Sequence, residues 1–273
     1  MPEETAPPLF AVDVGNNRIK LGWFAPGGDA GLPEPRRTLT LAGVGSDLAP
    51  LGKWLEQTGS PEAAWWIGSV NRPAASRLID WLRDRQPAPR VVLLAAGDLP
   101  LAVALERPDM VGVDRLLDAV AADALRQPGR PAVVVDVGTA ITVDLVSADG
   151  VFRGGAILPG IGMSARALHE FTDLLPLVEP DELVTAPPPV GTATDAAMRS
   201  GLFWGAVGSI RELVARLGQQ AGAPAQVFLP GGAGPVVADL LGPDAAHVPH
   251  LTLAGIALSA RASGGASDGR RGK

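Results

Sequence analysis

The sequence predicts an α/β protein built by duplication. Two stretches, FAVDVGNNRIKLGWF from residue 10 and VVVDVGTAITVDLV from residue 133, place Asp-Val-Gly between two apolar runs. A gapless alignment superposes Asp13 on Asp136 and Gly15 on Gly138. In each half, these runs are followed by a third strand pattern and then by helical patterns interleaved with further strands. We therefore expect two copies of one α/β unit rather than a single dinucleotide-binding sheet.

In the first half, Gly15-Asn16-Asn17 is expected to form a tight hairpin turn, because Gly and Asn tolerate positive φ. Pro73 suits the first turn of the helix that follows it. The continuous apolar run at residues 90–96 predicts a parallel strand enclosed on both faces. The predicted elements are strands at 10–14, 18–24 and about 38–42, a helix at 47–57, a strand at 63–70, a helix at 73–85 and a strand at 90–96.

The second half repeats this pattern after a helix that stops at Gln127-Pro128-Gly129. Its predicted elements are helix 114–126, strands 132–137, 141–147 and 151–157, helices 162–175 and 194–218, strand 225–229, and helices 234–242 and 253–262. The expected organisation is a flexible leader at 1–9, one domain at 10–115, a second at 116–262, and a flexible tail at 263–273.

Composition excludes several classes of function. The chain has no cysteine, so disulfides, thiolate nucleophiles and cysteine-ligated metals are excluded, and its three histidines have no convincing metal-ligand spacing. A net charge of −6 argues against a nucleic-acid partner. No apolar run reaches the ~20 residues of a membrane span, and the N-terminus lacks the features of a signal peptide. A cytoplasmic protein is expected.

The repeated turn has the chemistry of a phosphate site. A carboxylate that ends a buried strand can hold a cation, while the N–H groups of the following Gly turn donate to phosphate oxygens. Two such turns facing one another across a cleft would bind a polyphosphate, with Lys20 as a point charge. Two hairpins with ordinary Asx turns are the alternative. Gly231 and Gly232 would let an adenine or ribose approach the backbone, or would simply form a loop.

Several segments, in order, resemble the type III pantothenate kinases of the acetate and sugar kinase/Hsp70/actin superfamily. They are DVGNNRIK from residue 13, GVDR from 112, DVGTAIT from 136, GGAILPG from 154, GTATDAAMRSG from 191 and LPGGAG from 229. The resemblance implies two ribonuclease H-like (actin-like ATPase) domains with a nucleotide cleft between them. It also implies phosphorylation of the 4′-hydroxyl of pantothenate by ATP, the first step of coenzyme A synthesis.

The resemblance assigns roles to individual residues. Asp13 would lie near Mg²⁺-bound ATP, Asp114 would be the general base, and Arg115 would hold the pantothenate carboxylate. Asp136 matches the site of a monovalent cation, K⁺ or NH₄⁺. The implied ATP contacts are Asp13, Val14, Gly15, Asn16, Asn17, Arg18, Ile19, Lys20, Thr139, Gly231 and Gly232. The implied pantothenate contacts are Leu105, Gly112, Val113, Asp114, Arg115 and Thr194.

On the residues alone, Asp114 and Arg115 could also be a helix N-terminal charge beside a surface arginine.

The chain departs from the family pattern at three positions. Asn17 replaces a hydroxyl residue, although its amide can still donate to phosphate. Leu105 stands where many members carry a tyrosine, so a hydroxyl is lost from the pantothenate pocket. Pro230 stands where a threonine is common.

The resemblance further implies a homodimer in which the second protomer helps to close the pantothenate pocket. Helix 194–218 carries Met198, Leu202, Phe203 and Val207 on overlapping faces. These side chains would lie either at the dimer interface or in the core of one protomer.

Two other functions fit the same fold. One is a different phosphotransferase or phosphohydrolase of the superfamily, such as a sugar kinase or a polyphosphatase. The other is a catalytically weakened, nucleotide-binding accessory protein. The presence of Asp114 beside Arg115 favours the kinase, because an accessory protein would have little reason to keep them.

Overall fold

The fold is described from a computed structural model of the chain. The described residues are 8–27, 31–43, 47–59, 62–85, 89–179, 185–232 and 234–268. The chain divides into two compact units. Unit 1 consists of the chain up to Leu125 together with the chain from His250, and unit 2 is Arg126–Pro249. Within the described part of the chain, no helix is both long and apolar enough to cross a bilayer.

Unit 1 contains one mixed sheet covered by helices. The strands of this sheet are β1 (Leu9–Val14), β2 (Arg18–Phe24), β3 (Arg37–Ala42), β4 (Ala64–Ser69) and β5 (Val91–Leu93). The two-residue strand β6 (Ala102–Val103) is not part of it. The helices of unit 1 are α1 (Ala49–Thr58), α2 (Arg72–Arg85), α3 (Val113–Leu125) and α7 (Leu251–Asp268). The sheet order is β3-β2-β1-β4-β5. The pairs β1–β2 and β2–β3 are antiparallel, whereas β1–β4 and β4–β5 are parallel.

Unit 2 has the same topology. Its strands are β7 (Ala132–Val137), β8 (Ala140–Val146), β9 (Val151–Pro159), β10 (Gln226–Leu229) and β11 (Ala245–His247). Its helices are α4 (Ile161–Glu170), α5 (Thr194–Ala221) and α6 (Gly234–Leu241). These strands follow the order β9-β8-β7-β10-β11, with β7–β8 and β8–β9 antiparallel and β7–β10 and β10–β11 parallel. The repeated strand order confirms the predicted duplication of an α/β unit.

Each unit is stabilised by its own apolar core. In unit 1, the Phe10 ring stacks on Trp65 at a centroid distance of 4.4 Å, and both side chains are almost fully buried. In unit 2, β7 and β8 pack against α5, where Ile210 is fully buried. The central strands β1 and β7 are buried over most of their length, which fixes where each strand ends and its turn begins.

The two hairpins differ in length, although the gapless alignment treats them as equal. Val14 pairs with Ile19 across β1 and β2, so residues 15–18 link the paired residues. Val137 pairs with Ile141 across β7 and β8, so only residues 138–140 link this pair. The alignment is therefore correct up to the turn and out of register by one residue beyond it.

Two predicted elements end at least three residues earlier in the structure than expected. The strand expected over 90–96 is the short edge strand β5, because the Asp98 carboxylate accepts the Ala95 N–H and starts a 3₁₀ turn. Its last residue, Leu93, is 54% exposed rather than enclosed. The helix expected over 162–175 ends at Glu170. The Thr172 hydroxyl donates to the Leu168 carbonyl there, in place of a continuing backbone amide.

The division into units also differs from the expected domain boundaries. The division falls after Leu125 rather than after residue 115, because α3 packs against α7 within unit 1. The last helix belongs to unit 1 instead of completing the second half. It also continues through residues 263–268, which were expected to be a flexible tail. Residues 1–7 of the expected leader and 269–273 of the tail lie outside the described residues.

Candidate active site

The first predicted phosphate loop lies at the end of β1. The Asp13 residue is only 8% exposed, and the strand register places Lys20 directly opposite it. The Lys20 Nζ atom lies 3.9 Å from Asp13 Oδ2, so a cation faces the buried carboxylate. The Gly15 N–H donates to the Arg18 carbonyl at 3.0 Å and closes the turn. Asp13 and Lys20 thus form a charge pair at the base of this turn.

Five of the eight predicted ATP-binding residues of this loop fall into two groups. Asn16, Asn17 and Arg18 are exposed at the tip, where a ligand can reach their side chains. The side chains of Val14 and Ile19 are instead buried in the core of unit 1, at 0% and 3% exposure. Any contact that these two residues make with a ligand must therefore use the backbone. Their side chains hold the two ends of the turn in place.

The GVDR segment begins helix α3 and presents the predicted base. Val113 is buried, whereas Asp114 and Arg115 are half-buried. Asp114 Oδ1 accepts the Arg115 N–H at 2.8 Å, which leaves Oδ2 with no hydrogen-bond donor among the described residues. A Cβ atom on Gly112 would lie 2.5 Å from Asp114 Oδ1. A side chain at position 112 would therefore force the Asp114 carboxylate to shift from this position.

Close packing on helix α7 fixes the position of α3. Leu116 and Leu117 are fully buried, and α3 contacts α7 at Gly255. A Cβ atom on Gly255 would overlap the Leu117 carbonyl oxygen and lie 2.7 Å from its carbonyl carbon. The two helices can approach this closely only because residue 255 has no side chain. The location of Asp114 thus depends on a residue near the end of the chain.

The segment that leads into α3 carries an ion pair. The Arg107 guanidinium donates through Nε and Nη2 to the two Asp109 carboxylate oxygens, at 3.0 and 2.7 Å. These hydrogen bonds hold the pKa of Asp109 below its usual value. Leu105, the predicted pantothenate contact, lies two residues before this pair and is half-buried.

In unit 2, the second predicted loop is arranged in a similar way. Asp136 lies near the end of β7, opposite Thr142 in the register. The Gly138 N–H donates to the Ala140 carbonyl at 3.0 Å, which closes the turn and leaves Thr139 exposed at its tip. The Thr139 carbonyl accepts the Gly160 N–H at 3.1 Å, so the GGAILPG segment supports the loop.

The Gly231–Gly232 turn lies beside Asp136 within unit 2. Gly231 adopts a φ of 79°, a left-handed conformation that favours glycine. A Cβ atom built on Gly231 would lie 3.6 Å from Asp136 Oδ1, so the turn and the carboxylate are neighbours. His247 Nε2 lies 2.8 Å from the Gly231 carbonyl oxygen. Sequence reasoning missed this histidine, because nothing in the sequence places β11 beside β10.

The remaining predicted residue, Thr194, is the exposed first residue of α5. Its side chain makes no hydrogen bond with the described residues. The apolar face of α5, with Met198, Leu202, Phe203 and Val207, is buried against Ala165 and Val178 within unit 2. Of the two readings of this helix, packing within one protomer is therefore the one that the structure supports.

The donors present fit the metals that the resemblance implies. Mg²⁺ in phosphotransferases is usually held by one or two carboxylates together with substrate phosphates. Asp13, at the edge of an exposed turn, can supply such a carboxylate. Asp136, between a glycine turn and a threonine loop, can supply oxygen to a monovalent cation. Among the described residues, no group of three or more Asp, Glu or His side chains could hold a metal without a bound substrate.

Comparison with known proteins identifies the family. Residues 9–216 match the family described as type III pantothenate kinase. A type III pantothenate kinase of Rhodospirillum rubrum is 40% identical over 240 residues, which cover 85% of this chain and 89% of the relative. One of a Parafrankia species is 38% identical over 256 residues, covering 92% of this chain and 96% of the relative.

The fold is also found in a solved structure with little sequence similarity. The activator of the 2-hydroxyisocaproyl-CoA dehydratase from Clostridium difficile, solved with bound ADPNP, has a TM-score of 0.54 at 13% identity. The match covers 96% of this chain and 97% of that one. Because its identity is low, this match supports the fold alone, whereas the relatives above are similar to this chain in both sequence and length. The chain belongs to the type III pantothenate kinase family.

Proposed function

We propose that this protein transfers the γ-phosphoryl group of ATP to the 4′-hydroxyl of pantothenate. Family membership supports the reaction. The observation that carries the proposal is Asp114, whose carboxylate lies over Gly112 at the start of α3 with one oxygen lacking a described donor. We propose the cytoplasm as the location, since ATP is the co-substrate. No finding favours an accessory protein or another phosphotransferase.

The first loop is proposed to bind the ATP phosphates. Phosphoryl transfer requires positioning and neutralisation of charge rather than a protein nucleophile. The exposed amide side chains of Asn16 and Asn17 can donate to phosphate oxygens, and Lys20 supplies a positive charge. Mg²⁺, when bound with ATP near Asp13, would neutralise charge on the phosphates. The Asp13–Lys20 pair keeps both groups at the base of the turn.

Asp114 is proposed to act as the general base. Its Oδ1 is already engaged by the Arg115 N–H, so Oδ2 is the oxygen proposed to accept the proton of the 4′-hydroxyl as the new P–O bond forms. Arg115 is proposed to bind the pantothenate carboxylate, because a guanidinium can donate two parallel hydrogen bonds to it. Leu105 would supply apolar surface near the substrate, whereas Val113, whose side chain is buried, would contact it through the backbone.

The turns of unit 2 are proposed to complete the nucleotide and cation sites. Asp136 would bind K⁺ or NH₄⁺, and Thr139 would donate its hydroxyl to ATP. The Gly231–Gly232 turn would allow the nucleoside to lie against the backbone. Thr194 would contact pantothenate from the start of α5. The proximity of Gly231 to Asp136 supports a shared role for these two turns.

We further propose a homodimer formed through α4 and the segment that follows it. Large apolar side chains are concentrated there, with Phe171 84% exposed and Leu174 86% exposed. Met163, Leu168 and Leu177 in the same region are also exposed. Exposed apolar surface of this kind marks an interaction site. A second copy of the chain is the proposed occupant, in place of the α5 face, which is buried within one protomer.

A coupled assay of ADP release tests the function. Purified protein is assayed with ATP and Mg²⁺, with and without pantothenate, in K⁺, NH₄⁺ or Na⁺ buffers. We expect ADP release that requires pantothenate and is faster in K⁺ or NH₄⁺ than in Na⁺. Glucose and other sugars as acceptors are the comparison for another phosphotransferase. No pantothenate-dependent release in any of these buffers would refute the proposal.

The Asp114→Asn variant provides a matched control, because asparagine keeps the size of the side chain and removes its basicity. The loss of a positioned base lowers kcat by about 10²–10⁴-fold. Asp136→Asn is the corresponding control for the cation, and we expect it to reduce the difference between K⁺ and Na⁺. Full activity of Asp114→Asn would show that another group accepts the proton.

A further inference from the structure

We propose that His247 is a positioning residue for the Gly231–Gly232 turn and thereby sets the affinity for nucleotide. The inference rests on the proposed function, in which this turn borders the ATP site. His247 lies on a neighbouring strand, sixteen residues along the chain from Gly231. The fold, and not closeness in the sequence, brings these two residues together.

Strand pairing places the histidine where it can reach the turn. β11 runs parallel to β10, and His247 is in register with Leu229. The Val248 N–H donates to the Leu229 carbonyl at 2.9 Å, so the ladder continues to the last residue of β10. The chain then leaves the sheet at Pro230. The His247 ring extends past this point and contacts the Gly231 carbonyl oxygen at 2.8 Å.

The chemistry of the contact assigns the proton. A carbonyl oxygen can only accept a hydrogen bond, so His247 Nε2 must carry a hydrogen. Both the Nε2-protonated neutral ring and the imidazolium satisfy this condition. His247 therefore donates a hydrogen bond from its side chain to the main-chain carbonyl of Gly231.

This bond fixes the direction of a backbone donor. The Gly231 carbonyl and the Gly232 N–H belong to one planar trans peptide, so they point in opposite directions. Holding the carbonyl toward His247 aims the N–H away from it. Gly232 is exposed, and no described residue accepts its N–H. The N–H is thus presented to a ligand.

The turn needs such an anchor because of its composition. Two consecutive glycines, with Gly231 at a φ of 79°, have more backbone freedom than any other pair of residues. Without a restraint, nucleotide binding would have to order this peptide, and the entropic cost would weaken affinity. The Asp136 carboxylate limits the turn on one side, and His247 holds its carbonyl on another.

Two substitutions distinguish the loss of the hydrogen bond from the loss of the imidazole ring itself. His247→Leu removes the donor, whereas His247→Gln keeps an N–H donor at the same number of bonds from Cα. Ser209→Ala is a control for the loss of a side-chain hydrogen bond to a main-chain carbonyl, because the Ser209 hydroxyl donates to the Gly205 carbonyl at 2.8 Å elsewhere in unit 2. The dissociation constant for a non-hydrolysable ATP analogue is measured by calorimetry, and KM and kcat by the coupled assay.

We expect His247→Leu to raise the dissociation constant and the KM for ATP by about 3- to 10-fold, the effect of one hydrogen bond. The KM for pantothenate and the kcat at saturating ATP should stay near wild type. His247→Gln should restore affinity, and Ser209→Ala should leave nucleotide affinity unchanged. Melting temperatures show whether each variant is folded. If His247→Leu does not fold, His247→Ala, which also lacks the donor, takes its place in the same comparison with His247→Gln.

Unchanged nucleotide affinity in folded His247→Leu would overturn the inference, as would an equal loss in His247→Gln. Equal effects on both substrates would indicate a merely structural role and would also overturn it. Calorimetry does not depend on turnover. If wild-type protein binds the ATP analogue but does not phosphorylate pantothenate, the proposed function fails and the binding comparison still tests His247.

Discussion

Replacing Gly255 by alanine should move the proposed catalytic base without touching it. The new Cβ atom would lie 2.7 Å from the Leu117 carbonyl carbon on α3. Carbon atoms in contact are usually about 3.5–4.0 Å apart. Because the obstructing atoms belong to the backbone, no side-chain rotation can relieve the overlap. Relief requires α3 and α7 to separate by about 1 Å.

This displacement should affect both stability and rate. Overpacking a core costs about 1–3 kcal/mol. For a protein of this size, each kcal/mol lowers Tm by about 2–4 °C, so Tm should fall by about 2–12 °C. Asp114 lies three residues before Leu117 on the same helix. A misplacement of about 1 Å in a catalytic group can lower the rate by about 100-fold.

The assays are thermal unfolding and the coupled ADP-release assay on one preparation. Gly52→Ala in α1 is the matched control, because the nearest atom to its new Cβ would be in the Trp81 ring at 3.8 Å, an ordinary contact. Alanine is favoured over glycine in a helix by about 1 kcal/mol, so this variant should be slightly more stable.

Two results would refute the reasoning for Gly255→Ala. An unchanged Tm would mean that the α3–α7 contact tolerates a methyl group. A lower Tm with unchanged kcat would mean that α7 alone moves, and that the position of Asp114 does not depend on residue 255.

Three other predictions concern single contacts. Lys20→Met removes the cation that faces Asp13 and should raise the KM for ATP by about 10-fold, measured by steady-state kinetics against Lys20→Arg; an unchanged KM would contradict a phosphate role. Phe171→Asp should yield a monomer in size-exclusion chromatography with light scattering, and a persistent dimer would place the interface elsewhere. Asp109 should titrate below the usual aspartate range in carboxyl ¹³C NMR and return toward it in Arg107→Gln. Because the folded-state pKa of Asp109 is lowered, any stability from this pair is present above the usual aspartate pKa and is lost as pH falls below it. If Asp109 in the wild type titrates at the usual aspartate pKa, the ion pair is contradicted.

The elements that carry the predicted phosphate loops could be predicted from sequence because their signals are local. The apolar runs of β1 and β7 are nearly continuous and stop at an Asp followed by a Gly turn. Burial of one run fixes its register, so Asp13 and Asp136 could be placed at corresponding points. The sequence also carried a signal for the missing residue in the second turn. A one-residue gap there matches Ile19 with Ile141 and Leu21 with Val143, whereas the gapless alignment places Ile19 opposite Thr142 and Leu21 opposite Asp144.

Long-range packing could not be predicted. Residues 251–262 are apolar on more than one face, so their pattern shows a buried helix without showing which sheet it covers. The Asp13–Lys20 pair required the hairpin register, and the contact between His247 and Gly231 required the strand order. Those facts depend on pairing between distant segments, which no local periodicity encodes.

The assignment of α7 to unit 1 has a consequence for biosynthesis. Leu251 and Ile256 are fully buried, and α7 packs on β1 and α3, which emerge from the ribosome far earlier. Unit 2 is one continuous stretch, so it can acquire all its contacts while the polypeptide is still being elongated. The usual N-to-C order of domain folding is thereby reversed. Unit 1 begins first but stays incompletely covered until α7 has been synthesised after unit 2. If a ribosome stalls before residue 250, α3, which carries Asp114, lacks the helix that it packs against.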